Sequence, residues 1–213
     1  MLKLYLIRHG ETSWNSESKT QGCKNIQLSD KGILQGRLLA EKLKSSDDEF
    51  KKVFSSDLDR CYLTAKSIDE VLNLGIEINK GFREMSFGDW EGLTIDEIKR
   101  TYLNEYTKWR NEPCMATIPR GEGLKTVQKR CLDALENIFQ RYNDGSIIIV
   151  SHGVAIKTMI LGLLGLDLKH FYSLSIGNAS MNKIEFRDYG PVITNLNDSC
   201  HLQHCKIESL SSC

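Results

Sequence analysis

The sequence predicts an α/β protein: a three-layer αβα arrangement around a mostly parallel central sheet, with a small helical insertion as a lid. Three observations predict it. The hydrophobic period switches repeatedly between strand and helix, as chains of βαβ units do. Two apolar runs of strand length, Leu2 to Ile7 and Ser146 to Ser151, each lead into a histidine followed by glycine, His9-Gly10 and His152-Gly153. Both runs are mostly apolar, the pattern of strands covered on both faces. An imidazole where a buried strand opens into a loop lies where open α/β sheets bind ligands. Two such histidines, the first preceded by Arg8, point to a centre for an anionic group.

The elements follow in order. Residues 2 to 7 read as a buried strand. After a polar loop, about 30 to 45 reads as a helix with Ser29 as N-cap and an apolar stripe through Ile33, Leu39 and Leu43. Val53 to Ser55 is a short strand, and it feeds a helix whose Leu58, Cys61, Tyr62, Ala65, Ile68 and Leu72 keep helical spacing. Ile76 to Asn79 alternates, like an edge strand. Helices are expected near 94 to 109 and 123 to 142, separated by a loop holding Pro113 and Pro119. Ser146 to Ser151 is the next core strand, Val154 to Leu164 an apolar helix, and Ser180 to Phe186 and Val192 to Leu196 the closing strands. The 213 residues can build one domain with a sizeable core. The expectation is a single domain over 1–213, with the insertion at about 94–123 as a cap over the site.

Composition narrows the function classes. The 28 Lys+Arg balance 28 Asp+Glu, so no net field favours nucleic acid or an acidic membrane surface. The apolar stretch Leu4 to Ile7 is too short for a signal peptide. Val154 to Leu166, the longest apolar segment, is interrupted by Lys157 and falls short of a bilayer span. Seven irregularly spaced cysteines suit a reducing compartment rather than a disulfide framework. The expectation is a cytoplasmic protein with a small-molecule partner, neither nucleic acid nor membrane; the oligomeric state, a dimer included, is left open. The C-terminal Cys200-His201-Leu202-Gln203-His204-Cys205 has ligand types but not the two separated pairs of a structural zinc site, and no metal is expected there.

Four blocks carry a family resemblance: Leu6 to Asn15 (LIRHGETSWN), Ser55 to Ala65 (SSDLDRCYLTA), Arg83 to Gly92 (REMSFGDWEG) and Ser151-His152-Gly153. In this order they resemble the histidine phosphatase superfamily, also called phosphoglycerate-mutase-like. The resemblance implies that His9 attacks phosphorus to give a phosphohistidine, splitting one hard displacement into two easier ones. It implies Arg8, Arg60, His152 and Asn15 as binders of the phosphoryl oxygens and Gln21 as a substrate contact. Arginine suits this because its planar fork pairs with phosphate oxygens. Arg60 also falls in the first turn of a predicted helix, where a cation is disfavoured unless it faces an anion. Glu84 would give a proton to the leaving alkoxide and then take one from the attacking water. Met85, Phe87 and Trp90 follow it and would desolvate the carboxyl. No cofactor is implied.

Taken singly, these residues have plainer readings. A lone strand-end histidine is more often structural, and Arg60 or Glu84 alone could be surface charges. Trp14, Trp90 and Ile147 to Val150 read as core, Glu11 and Asp57 as turn residues, and His170 as surface. Two departures separate subfamilies. Gly121-Glu122-Gly123 stands where many relatives have Gly-Glu-Ser, removing a hydroxyl at a helix start. Met85 stands after Glu84 where mutases carry a basic residue, and the insertion is short and mixed in sign. The chain therefore looks like a metal-independent phosphomonoesterase, similar to α-ribazole phosphatases and broad-specificity phosphatases, acting on small phosphorylated metabolites with α-ribazole 5'-phosphate among them. The alternatives are a cofactor-dependent phosphoglycerate mutase and a non-catalytic module that binds phospho-ligands.

Overall fold

In the computed structural model, which describes residues 1–203, a six-stranded sheet runs in the order β3-β2-β4-β1-β5-β6. The strands are β1 (Leu2–Arg8), β2 (Phe50–Ser55), β3 (Ile76–Ile78), β4 (Gly145–Ser151), β5 (Met181–Arg187) and β6 (Gly190–Asp198). β3, β2, β4 and β1 are parallel, while β5 and β6 close the other side antiparallel. The helices are α1 (Ser13–Ser16), α2 (Asp30–Lys44), α3 (Asp59–Leu72), α4 (Ile95–Thr101), α5 (Leu103–Asn111), α6 (Leu124–Phe139) and α7 (Gly153–Leu163). This is the three-layer fold that the alternating periods predict.

Alternation along the central strands divides the core into two. Leu4, Leu6, Phe54, Ile147 and Ile149 face one side, packing with Val127, Leu135 and Ile138 of α6 and Ile156 and Ile160 of α7. Tyr5, Ile7, Val53, Ile148 and Val150 face the other, against Leu39 and Leu43 of α2 and Ala65 and Ile68 of α3. Full burial of one such aliphatic side chain is worth about 1.5–3 kcal/mol. The sheet is thus fixed from both faces, and its carboxyl edge is a rigid platform.

Several local expectations need correction. Ile33 is 38 % exposed and lies outside the α2 stripe. Its place on the packed face is taken by Gly32, Gln35 and Gly36, because α2 approaches its neighbours too closely for a side chain. A Cβ on Gly32 would come within 2.0 Å of the Glu11 carbonyl oxygen. Tyr62 is likewise exposed, on the outer face of α3. Trp14 is half-buried rather than core, with its ring over Gly92. The helix expected over 94–109 is broken at Tyr102, whose φ of −129° and ψ of 44° separate α4 from α5. α4 begins in a capping box between Thr94 and Glu97, whereas α6 begins at Gly123 with no side-chain cap, as the missing serine implies.

The insertion is docked by aromatic packing. Trp109 of α5 is 7 % exposed and meets Phe87, Phe171 and Tyr172 at centroid distances of 6.0, 5.5 and 6.3 Å. The Tyr172 hydroxyl donates to the Trp109 carbonyl (3.0 Å).

Candidate active site

The register of the two central strands sets the site. Arg8 pairs with Ser151 at the carboxyl ends of β1 and β4, so the next residues, His9 and His152, emerge side by side. The His9 amide donates to the Ser151 carbonyl (3.0 Å), and the two rings stand edge-on with centroids 5.2 Å apart. A cavity of about 370 Å³ opens there, with Arg8, His9, Asn15, Gln21, Arg60 and Glu84 in its wall.

His9 is 3 % exposed. Its Nδ1 lies 2.7 Å from the Gly10 carbonyl oxygen, which can only accept, so the proton is on Nδ1 and the lone pair is on Nε2. Burial, followed by the charges of Arg60 and Arg8, holds its pKa well below the usual histidine value. The ring is therefore neutral at neutral pH, with one nitrogen available as a nucleophile.

The cations come from different elements, Arg8 from the end of β1 and Arg60 from α3. Arg8 Nη1 donates to the Ile176 carbonyl (2.7 Å), while its Nε is buried without a partner. Arg60, fully buried in the first turn of α3, donates to the Lys24 and Gly22 carbonyls (2.7 and 2.8 Å) and from Nε to His152 Nδ1 (3.2 Å). These acceptors hold the guanidinium against the helix dipole that opposes it.

His152, expected as a binder of the phosphoryl oxygens, has both ring nitrogens bonded within the protein. It is fully buried, and its Nδ1 accepts from Arg60, so Nε2 carries the proton, 2.9 Å from Ser56 Oγ. With both nitrogens engaged, it orients Arg60 in this structure. Burial and then Arg60 hold its pKa well below the usual value. Cys61, 3.3 Å from His152 Nε2, stays a thiol because burial pushes its pKa far up.

Glu84 differs in its surroundings from expectation. Met85 and Trp90 turn into the core, and only Phe87 shares the cavity. The carboxyl group is anchored by N–H donors: Val154 and Ala155 in the first turn of α7 (both 3.2 Å) and Met85 (2.9 Å). Its backbone is clamped as well. Arg130 of α6 donates to the carbonyls of Gly81, Arg83 and Glu84 (2.8, 2.7 and 2.9 Å) and pairs with Glu122, whose other role is to accept from the Ser86 amide (2.8 Å). Asp57, expected as a turn residue, takes a bidentate bond from Arg83 (2.6 and 2.8 Å). Asn15 completes the capping box of α1 by accepting from the Thr12 amide (3.1 Å), and it also accepts from Asn178 (3.1 Å). Gln21 is buried, with its Oε1 unpartnered.

The sequence reading missed Lys157, Trp109 and Phe171, which complete the cavity wall. The signal for Lys157 was present, as the one charge in an apolar helix. Of the C-terminal cluster, Cys200 and His201 are described, and His204 and Cys205 lie outside the described residues. Among the described residues no group of His, Cys, Asp and Glu is arranged to hold a metal, and no helix is long and apolar enough to cross a membrane. His170 is exposed.

Residues 4–199 match the histidine phosphatase superfamily (branch 1). The chain belongs to this family. It is 35 % identical over 209 residues to phosphoserine phosphatase 1 of Hydrogenobacter thermophilus, covering 98 % of each chain. A probable phosphoglycerate mutase of Yersinia pestis is 30 % identical over 99 % of both chains. The crystal structure of a phosphoserine phosphatase mutant from Entamoeba histolytica, in complex with phosphoserine, superposes with a TM-score of 0.85 at 33 % identity. That alignment covers 95 % of this chain and 100 % of the other.

Proposed function

We propose that this histidine phosphatase is a phosphoric monoester hydrolase that works without metal, through a phosphohistidine on His9, on small phosphorylated metabolites, with phosphoserine as the favoured substrate. The observation that carries the reading is the buried, neutral His9 with its lone pair on Nε2, beside two guanidinium groups in one cavity. In the first step the Nε2 lone pair forms the P–N bond as the ester P–O bond breaks, and Glu84 gives its proton to the departing alkoxide. Arg8 and Arg60, with Asn15, hold the phosphoryl oxygens; these fixed donors stabilise charge that a divalent cation supplies elsewhere. His152 acts through Arg60, and Gln21 faces the substrate. In the second step a water gives its proton to Glu84, its oxygen bonds phosphorus, and the P–N bond breaks to free phosphate and neutral His9. The segment 94–123, part of one domain with the rest, caps the cavity through Ile95 and Trp109.

Phosphoserine is favoured over α-ribazole 5'-phosphate by the two phosphoserine phosphatases above. Against the mutase, Met85 is fully buried, so no cation follows Glu84 into the cavity. The test is hydrolysis of phosphoserine, α-ribazole 5'-phosphate, 3-phosphoglycerate and p-nitrophenyl phosphate with chelator present, alongside rapid-quench trapping of acid-labile phosphate. His9→Ala is expected to lower turnover at least about 10⁴-fold and to abolish the trapped phosphate. Turnover that needs added zinc or magnesium, or persists in His9→Ala, defeats the reading. So does rapid conversion of 3-phosphoglycerate to 2-phosphoglycerate, primed by 2,3-bisphosphoglycerate, with little free phosphate.

A further inference from the structure

α7 is the most apolar helix of the chain: Val154, Ala155, Ile156, Thr158, Met159, Ile160 and Leu161 are all buried. One charged side chain interrupts it. Lys157 lies in the cavity wall, with Nζ 4.6 Å from the centre of the Phe171 ring. Holding an ammonium group half out of water beside other cations is costly unless an anion compensates it. Lys157 makes no ion pair among the described residues. Burial and Arg8 both lower its pKa, with only Glu84 opposing. The same wall holds the apolar Val154, Ile176, Trp109 and Phe171 and the polar Ser175, and its other lysine, Lys19, is paired with Glu17 (2.7 Å).

A phosphate on His9 is served by Arg8 and Arg60, so a third, uncompensated cation further along the same cavity calls for a second negative group on the substrate. We infer that Lys157 is the specificity residue that receives a substrate carboxylate, selecting phosphomonoesters of small hydroxy acids and hydroxy amino acids over uncharged esters. The inference rests on the phosphatase reading and names the substrate class of that site. The cavity, about 370 Å³, has room for a phosphate joined to a three-carbon acid. Stacking on Phe171 fixes the ammonium group while leaving its N–H donors for an oxygen.

The experiment compares kcat/KM for phosphoserine, 3-phosphoglycerate and phosphoethanolamine, which lacks the carboxylate, in wild type, Lys157→Met and Lys157→Arg. Wild type is expected to prefer the two carboxylates. In Lys157→Met that preference falls at least about tenfold, mainly through KM, because a partly buried charge pair has been removed. Lys157→Arg restores most of it. The phosphoenzyme trapped from p-nitrophenyl phosphate counts competent protein, so a misfolded variant is recognised. Equal losses on all three substrates, or no carboxylate preference in wild type, overturn the inference while phosphatase activity stands. Absence of any trapped phosphoenzyme instead overturns the phosphatase reading.

Discussion

At the start of β1, Lys3 and Tyr5 converge with Lys183 of β5 on the carboxylate of Asp48, Lys183 at 2.8 Å. At the end of the same strand, Arg8 reaches a carbonyl and leaves its Nε buried and unpartnered, with Arg60 and Lys157 around one cavity that Glu84 also lines. The first cluster is closed: Lys3 and Lys183 share Asp48, Lys183 also meets Glu185 (3.7 Å), and burial, which would raise the Asp48 pKa, is overcome by Lys183, Lys3 and Tyr5, which lower it to about 2. The second is open. A closed cluster contributes to folding, whereas an open one costs stability until an anion completes it.

Arg8→Met gives the largest test of this contrast. It removes a donor needed where charge develops, so kcat should fall about 10²–10³-fold. It also removes an uncompensated buried cation, so thermal stability should hold or rise. Inorganic phosphate is the complementary probe: at 100 times its Kd it should stabilise wild type by about 2.7 kcal/mol, roughly 5–10 °C for a domain of this size. Calorimetric melting of both proteins with and without phosphate decides the matter. An Arg8→Met protein that melts lower, or gains as much from phosphate as wild type does, breaks the distinction.

Asp48→Asn should do the reverse. Two lysines and a tyrosine lose their common acceptor, at a cost of about 1–2 kcal/mol, while kcat/KM stays within about twofold because the cluster faces away from the cavity. Denaturant melts and steady-state rates on the same preparation measure both. A rate loss larger than the stability loss would mean that the two ends of β1 are coupled.

The two clusters were not equally legible. The strand-end histidines and the Arg-His-Gly phrase are local, and periodicity placed them at the carboxyl ends of neighbouring strands; Glu84 was singled out only by the family resemblance. Asp48 gave no signal, because its partners are brought together only by pairing β5 against β1. His152 shows the same limit at the site: its strand-end position was readable, but its bonds to Ser56 and Arg60 cross more than 90 residues. Ile33 misled because α2 packs through glycine, a close approach that hydrophobic spacing cannot express. Lys157 was visible as an interruption, and its meaning appeared only when the helix was seen to wall the cavity.

Acid titration separates the clusters by the pH at which each fails, and it carries the smallest expected effect. His9 and His152 have folded pKa values pushed down by burial and by Arg60. Well above pH 6.5 both are neutral, folded or unfolded, and contribute no slope. As pH falls below 6.5, the unfolded chain takes up their protons while the folded chain does not, so stability declines toward the lowered folded values. Asp48 behaves differently: its contribution is complete above its ordinary value of 3.8 and is lost only as pH falls toward about 2. Wild type should therefore weaken in two stages, and Asp48→Asn should reduce only the second, to which Glu77, Glu185 and Asp198, also held low, contribute as well. His152→Gln should flatten the first, by at most about 1.4 kcal/mol per pH unit, whatever it does to absolute stability. Urea melts at half-unit steps from pH 7.5 to 3 measure the slopes. An unchanged slope between pH 6.5 and 5 in His152→Gln would mean that the buried imidazole is not held neutral by burial and Arg60.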